Sequence, residues 1–160
     1  MLPWEEAMRA LAIALFASLM ILSPSARAAN HGTREEAVAM VKRVQAEFKK
    51  SGMQATFKDV DDKSNKSFHD RDLYPFIYDL KGVCVAHGAR PVLVGKNLID
   101  LKDQDGKYLI RDMVKLAEGS GQGWIDYKWP NPITNKIEDK SSYIEKLGDN
   151  YFVGVGVYKK

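Results

Sequence analysis

Residues 140–158, KSSYIEKLGDNYFVGVGVY, contain a run carrying Tyr143, Ile144 and Leu147 and an alternating run from Tyr151, joined by Gly148-Asp149. So short a connection predicts an antiparallel hairpin, with strands over 139–147 and 150–158. In the second strand Tyr151, Val153, Val155 and Val157 share one face. Phe152, Gly154, Gly156 and Tyr158 share the other, because side chains alternate along a strand. Two glycines between two aromatics predict a hollow on that second face. Glycine inside a strand marks close approach by a ligand or by another part of the chain, so a small molecule or tight packing can fill it.

The next signal lies just upstream. GWIDYKWPNP, residues 123–132, reads as a strand ended by two prolines. Tyr127 and Trp129 fall on one face, Trp124 and Lys128 on the other. If Tyr127, Trp129 and Tyr143 face the hollow beside Gly154, it becomes an aromatic-walled pocket of the kind that holds small molecules. A cation or histidine beside it suits a short carboxylate, through charge-assisted hydrogen bonds. The candidates are His87, Arg90 and Lys140, with Lys128 expected outside. Each has a structural alternative: His87 as a satisfied histidine at a strand end, Arg90 as a surface turn residue. Lys140 begins a strand beside the prolines and can reach either way.

Working outward, Tyr74, Phe76, Tyr78 and Leu80 alternate before a turn at Lys81-Gly82, and 83–87 runs back, which predicts a second hairpin. Its Phe76 and Tyr78 join the candidate pocket residues. Residues 33–50 read as a helix: Thr33 and Glu36 form a capping-box pair, Ala37, Val41, Val44 and Phe48 recur at helical spacing, and Gly52 stops it. A short helix over 53–60, a polar turn-rich stretch over 61–72 and a helix between Gly106 and Glu118 complete the order. Residues 89–106 are loop-rich yet carry Leu93, Val94, Leu98, Ile99 and Leu101, which predicts a segment folded down over something. The expected class is α+β: an antiparallel sheet of about five strands, the long N-terminal helix on one face, and a helix-and-loop segment covering a pocket on the other.

The whole is 160 residues, one domain's worth, with a net charge of +3 too small and scattered to suggest nucleic acid or a membrane surface. The apolar run 10–22, the break at 23–25 and Ala26-Arg27-Ala28 predict a signal peptide over 1–28 and export to the periplasm. An uncleaved anchor is the alternative. Glu5 and Glu6 are unusual ahead of such a run, and Met8 would make a more ordinary start. The single cysteine, Cys84, excludes an intramolecular disulfide and reads as a buried hydrophobe. His31, His69 and His87 are dispersed, and Ser64 occupies the glycine position of a calcium loop over 59–70, so neither metal nor cofactor is expected. No nucleophile or nucleotide-binding motif occurs, which argues against an enzyme.

Four segments in order, DLYPFIYDLKGVCVAHG (72–88), PVLVGKNLIDLKDQDGK (91–107), GWIDYKWPNP (123–132) and the opening hairpin, resemble a single Cache domain of the second type, an extracytoplasmic sensor module. The resemblance implies a PAS-like sheet, with the pocket on the face away from the long helix and a small metabolite, often a short organic acid, as ligand. It also implies a place in a chemoreceptor, histidine kinase or cyclase; separately, the long N-terminal helix is a candidate homodimer surface. This sequence stops two residues after the last strand, so the expectation is a stand-alone version with a membrane receptor or kinase as partner. The competing reading is an interaction module docking to such a protein, its pocket vestigial.

Overall fold

The computed structural model describes residues 31–159. The expected signal peptide lies outside the described residues. Helix α1 (Arg34–Ser51) starts where the capping box predicts: the Thr33 hydroxyl accepts from the Glu36 amide at 3.2 Å, and the Glu36 carboxylate accepts from the Thr33 amide at 2.8 Å. Gly52, at φ 79°, lets the chain turn directly into α2 (Met53–Asp61). Strands β1 (Pro75–Asp79) and β2 (Cys84–His87) form the first hairpin. A 3₁₀ turn (Pro91–Leu93) and helix α3 (Leu109–Glu118) follow. Then come β3 (Gln122–Pro130), β4 (Ile137–Leu147) and β5 (Tyr151–Tyr158).

The five strands form one antiparallel sheet in the order β2-β1-β5-β4-β3, so the last strand of the chain sits at its centre. Central placement explains the continuous burial of residues 152–158. Each face of the sheet carries its own core. On one, Ala37, Met40, Val41 and Val44 of α1 meet Ile77, Leu147, Val153 and Val155. On the other, Leu109, Ile110 and Met113 of α3 meet Phe76, Tyr78, Ile144 and Phe152.

Helix α3 begins three residues later than Gly106 suggested. Residues 102–108 form a closed turn, bridged between Lys102 and Tyr108, in which the Asp103 carboxylate accepts from the amides of Asp105 and Lys107. Those side-chain bonds offer the backbone an alternative to the helix.

Two expectations about the hollow need correction. Tyr143 lies on the α1 face, where its ring meets Trp124 at 5.5 Å and its hydroxyl donates to Gln122. It pairs in register with Val155, so the same alternation that separates the two faces of β5 places it there. Gly154 fronts no empty space either. A Cβ built there would sit 2.3 Å from the Phe76 ring, and one on Gly156 would sit 2.4 Å from the Lys140 chain. The two glycines make room for those side chains to lie flat across the sheet.

Candidate functional site

The face carrying α3 gathers most of the expected residues. Register puts Tyr127 opposite Lys140, Lys140 opposite Tyr158, and Phe76 opposite both Gly154 and His87, so all share that face. His87 arrives there through an irregularity. Ile77 pairs with Ala86 but Tyr78 pairs with Cys84, leaving Val85 as the extra residue of a bulge. Strict alternation would separate Cys84 from His87; the bulge re-aims the histidine to the same side.

His87 is closely held. Its amide donates to Asp61 at 2.7 Å, and its Nδ1 accepts from the amides of Arg90 (3.0 Å) and Ala89 (3.3 Å). With Nδ1 an acceptor, the neutral ring carries its proton on Nε2. The ring lies among Tyr74, Phe76 and Trp129, at centroid distances of 5.4, 6.0 and 6.3 Å. Burial, aided by the nearby Lys140 charge, pulls its pKa down to about 3, so the imidazole is a neutral donor.

Lys140 is 1% exposed. Its Nζ donates to the Tyr74 hydroxyl at 2.8 Å and lies 4.0 and 4.8 Å from the ring centroids of Tyr74 and Tyr158. No carboxylate pairs with it among the described residues. Burial pulls its pKa down to about 7, opposed by the more distant Asp72. The Tyr74 hydroxyl is 3.1 Å from that of Tyr158, which donates to the Pro130 carbonyl at 2.8 Å. Burial raises the Tyr74 pKa to about 12, so both phenols stay neutral and the lysine faces dipoles and ring faces only. One phenol oxygen satisfies one of three ammonium N–H groups.

Beside this network lies a small cavity of about 10 Å³, room for one water. Phe76, Tyr78, His87, Tyr127 and Trp129 line it from the sheet, and Leu109, Ile110 and Met113 from α3. Tyr127 is anchored through its hydroxyl to Ser142 at 2.8 Å. Of the expected site residues, Phe76, Tyr78, His87, Tyr127, Trp129 and Lys140 therefore converge, with Gly154 beneath Phe76. Arg90 does not: its side chain is exposed on the rim of an outer cleft, and only its amide reaches His87. Tyr74, Tyr158 and Met113 were not among the candidates. The alternation of β1 and β5 already puts Tyr74 with Phe76 and Tyr158 with Gly154, which was the available signal.

Trp124 and Lys128 lie away from the cavity, as the alternation predicts. Arg34 stacks on Trp124 at 3.7 Å, and Lys128 pairs with Asp139 at 2.9 Å. Among the described residues no group of three or more histidine, cysteine or acidic side chains converges on a metal-sized site. None of the described helices is long and apolar enough to cross a membrane.

A twisted antiparallel sheet with a long helix on one face and an aromatic cavity on the other defines a PAS-like sensor architecture. Residues 32–160 match the Cache domain family, and the chain belongs to it. Domains of this family are extracytoplasmic sensors that bind small ligands. A 91-residue segment is 36% identical to the sensor histidine kinase MctS of Rhizobium johnstonii, covering 56% of this chain and 20% of that protein. A methyl-accepting chemotaxis protein from Vibrio parahaemolyticus superposes with a TM-score of 0.66 at 28% identity, over 78% of this chain and 86% of that one. A Cache chemosensory domain described for carboxylic acid recognition gives 0.62 at 26% identity, over 79% and 88%.

Proposed function

We propose that this protein is a sensor-type binding module for a small aliphatic carboxylate of two to four carbons, acting outside the cytoplasm with a membrane receptor or kinase as partner. One observation carries the reading: the buried Lys140 ammonium, whose one hydrogen bond goes to a neutral phenol. A buried charge without a counter-ion is costly, and an anionic ligand supplies the missing partner. The carboxylate would take N–H donors from Lys140, hydroxyl donation from Tyr74 or Tyr158, and the Nε2 proton of His87. Its short tail would point toward Tyr127, Trp129 and Met113, where no second charge awaits it.

The cavity is far smaller than such a ligand, so binding requires the side chains and α3 to give way. A ligand that binds only the widened state shifts the population toward it, and the displaced α3 becomes the readable output. The proposed activity is binding without turnover.

The test is calorimetry on the full chain with acetate, propionate, pyruvate and butyrate, with ethylamine as a cationic control. Binding of at least one acid and none of the amine is expected. Lys140→Met should weaken that binding by more than about 30-fold, the effect of removing one partner of a buried charged hydrogen bond. An acid affinity indifferent to Lys140 would sink the reading.

A further inference from the structure

The lining of the carboxylate site just proposed is almost entirely buried, and the inference that follows rests on that reading. The sheet closes it from behind. Helix α3 closes it from the front, with Leu109, Ile110 and Met113 each at most 2% exposed. Beyond His87 and Trp129 the covering is different. There a cleft of about 450 Å³ runs between two loops, residues 89–92 after β2 and 130–135 after β3.

We propose that this cleft is the route by which the carboxylate reaches and leaves the site, with the stacked His87 and Trp129 rings as its inner door. Four observations converge. One lip starts two residues after His87 and the other one residue after Trp129, and both of those rings line the inner cavity. Each lip is tied to the site by hydrogen bonds: the amides of Ala89 and Arg90 donate to His87, and the Pro130 carbonyl accepts from Tyr158. Rearranging either side chain around a ligand therefore moves a lip. Three prolines, Pro91, Pro130 and Pro132, line the cleft and restrict its backbone, so the rings rather than the loops make the softer barrier.

The fourth observation is electrostatic. Arg90 is exposed at the mouth and pairs with no carboxylate among the described residues, whereas Lys42, Lys128, Lys159 and Arg111 are all paired. Its charge is felt inside: it adds to the burial and the Lys140 charge that lower the His87 pKa, and works against the burial that raises that of Tyr74. A free cation at the mouth of a low-dielectric passage draws anions inward.

Stopped-flow tryptophan fluorescence on the full chain tests this, with acetate and pyruvate as probes at low and high salt. Arg90→Glu should slow association about fivefold at low salt and less at high salt, with dissociation unchanged, as for a rim charge. Ala89→Trp, which fills the cleft, should slow association and dissociation together and leave the equilibrium affinity within about threefold. Unchanged rates in both variants, with equilibrium binding intact, would overturn the route. So would an Arg90→Glu defect confined to dissociation, since Arg90 would then be a ligand contact. Absence of equilibrium acid binding in the unmodified protein is a different result: it removes the carboxylate reading itself, and the route with it.

Discussion

Val153 and Val155 meet α1 through aliphatic side chains with no polar group among them, while one residue along the same strand Gly154 and Gly156 admit a phenylalanine ring and a lysine chain. The two faces share strands, register and burial, yet they are chemically opposite. The α1 face is close-packed with Ala37, Met40, Val41, Val44, Ile77 and Leu147. The α3 face buries Lys140, His87, Ser142 and four tyrosines, Tyr74, Tyr78, Tyr127 and Tyr158. Hydrophobic burial is non-directional and stabilises either face, but buried polar groups stabilise only when satisfied. The comparison teaches that the first face stabilises by apolar packing, whereas the second also carries a buried lysine without a carboxylate partner among the described residues.

The sharpest way to break this division is to weaken the dry face. Met40→Ala should lower unfolding stability by about 2–5 kcal/mol, the range for large-to-small changes in a core, while carboxylate binding by the folded fraction persists. Denaturant unfolding with a parallel binding titration checks both. Binding lost in step with stability would mean that the faces are not separable.

Next in size is Gly154→Ala. The new methyl would meet the Phe76 ring and Ile144 at under 3 Å. Destabilisation of about 1–3 kcal/mol follows from overpacking, and here binding should weaken too because Phe76 lines the cavity. An unaffected affinity would remove Phe76 from the site.

Lys140→Met should act in the opposite sense. Replacing a buried charge by an apolar chain of similar length is expected to leave the free protein equally stable or stabilise it by about 1–4 kcal/mol. The effect should depend on pH. The folded pKa of Lys140, about 7, lies below its ordinary 10.5, so above pH 7 the unfolded chain holds a proton that the folded protein has released. Stability then rises with pH from 7, until Cys84 and Tyr74, with pKa values raised to about 11 and 12, begin to oppose the trend above pH 9. Unfolding curves between pH 7 and 9 should therefore slope upward in the unmodified protein and flatten in Lys140→Met. Equal slopes would show that burial does not lower the Lys140 pKa.

The smallest effect belongs to the surface of the dry face. Lys42 pairs with Glu145 at 2.8 Å, half exposed. Lys42→Ala should change stability by no more than about 1 kcal/mol and leave ligand affinity untouched, because exposed pairs are screened. A larger loss would mean that the α1 face relies on charge after all.

The elements themselves were legible in order and approximate extent. Capping chemistry at Thr33 and Glu36, period-two alternation in β1, β3 and β5 and turn residues at Gly82 and Gly148 act over a few residues, so they are present in the sequence. The same alternation correctly divided Tyr127 and Trp129 from Trp124 and Lys128, and singled out Gly154 and Gly156 as places of close approach. It could not say what approaches them, because Phe76 and Lys140 reach across neighbouring strands whose order appears only when the sheet is assembled.

The rest of the site belongs to tertiary structure for identifiable reasons. Tyr143 was misplaced because its face follows from the register across the 148–150 turn, which pairs it with Val155 and not with Gly154. The facing of His87 depends on one extra residue at Val85, a bulge without a local signature. Lys140 gained its character from burial: the same residue in solvent is an ordinary cation, and three aromatic rings closing over it make it a charge in want of a partner. Local chemistry determined which segments are strands and helices. Only their packing decided which side chains lose water together, and that loss leaves Lys140 buried without a carboxylate partner among the described residues.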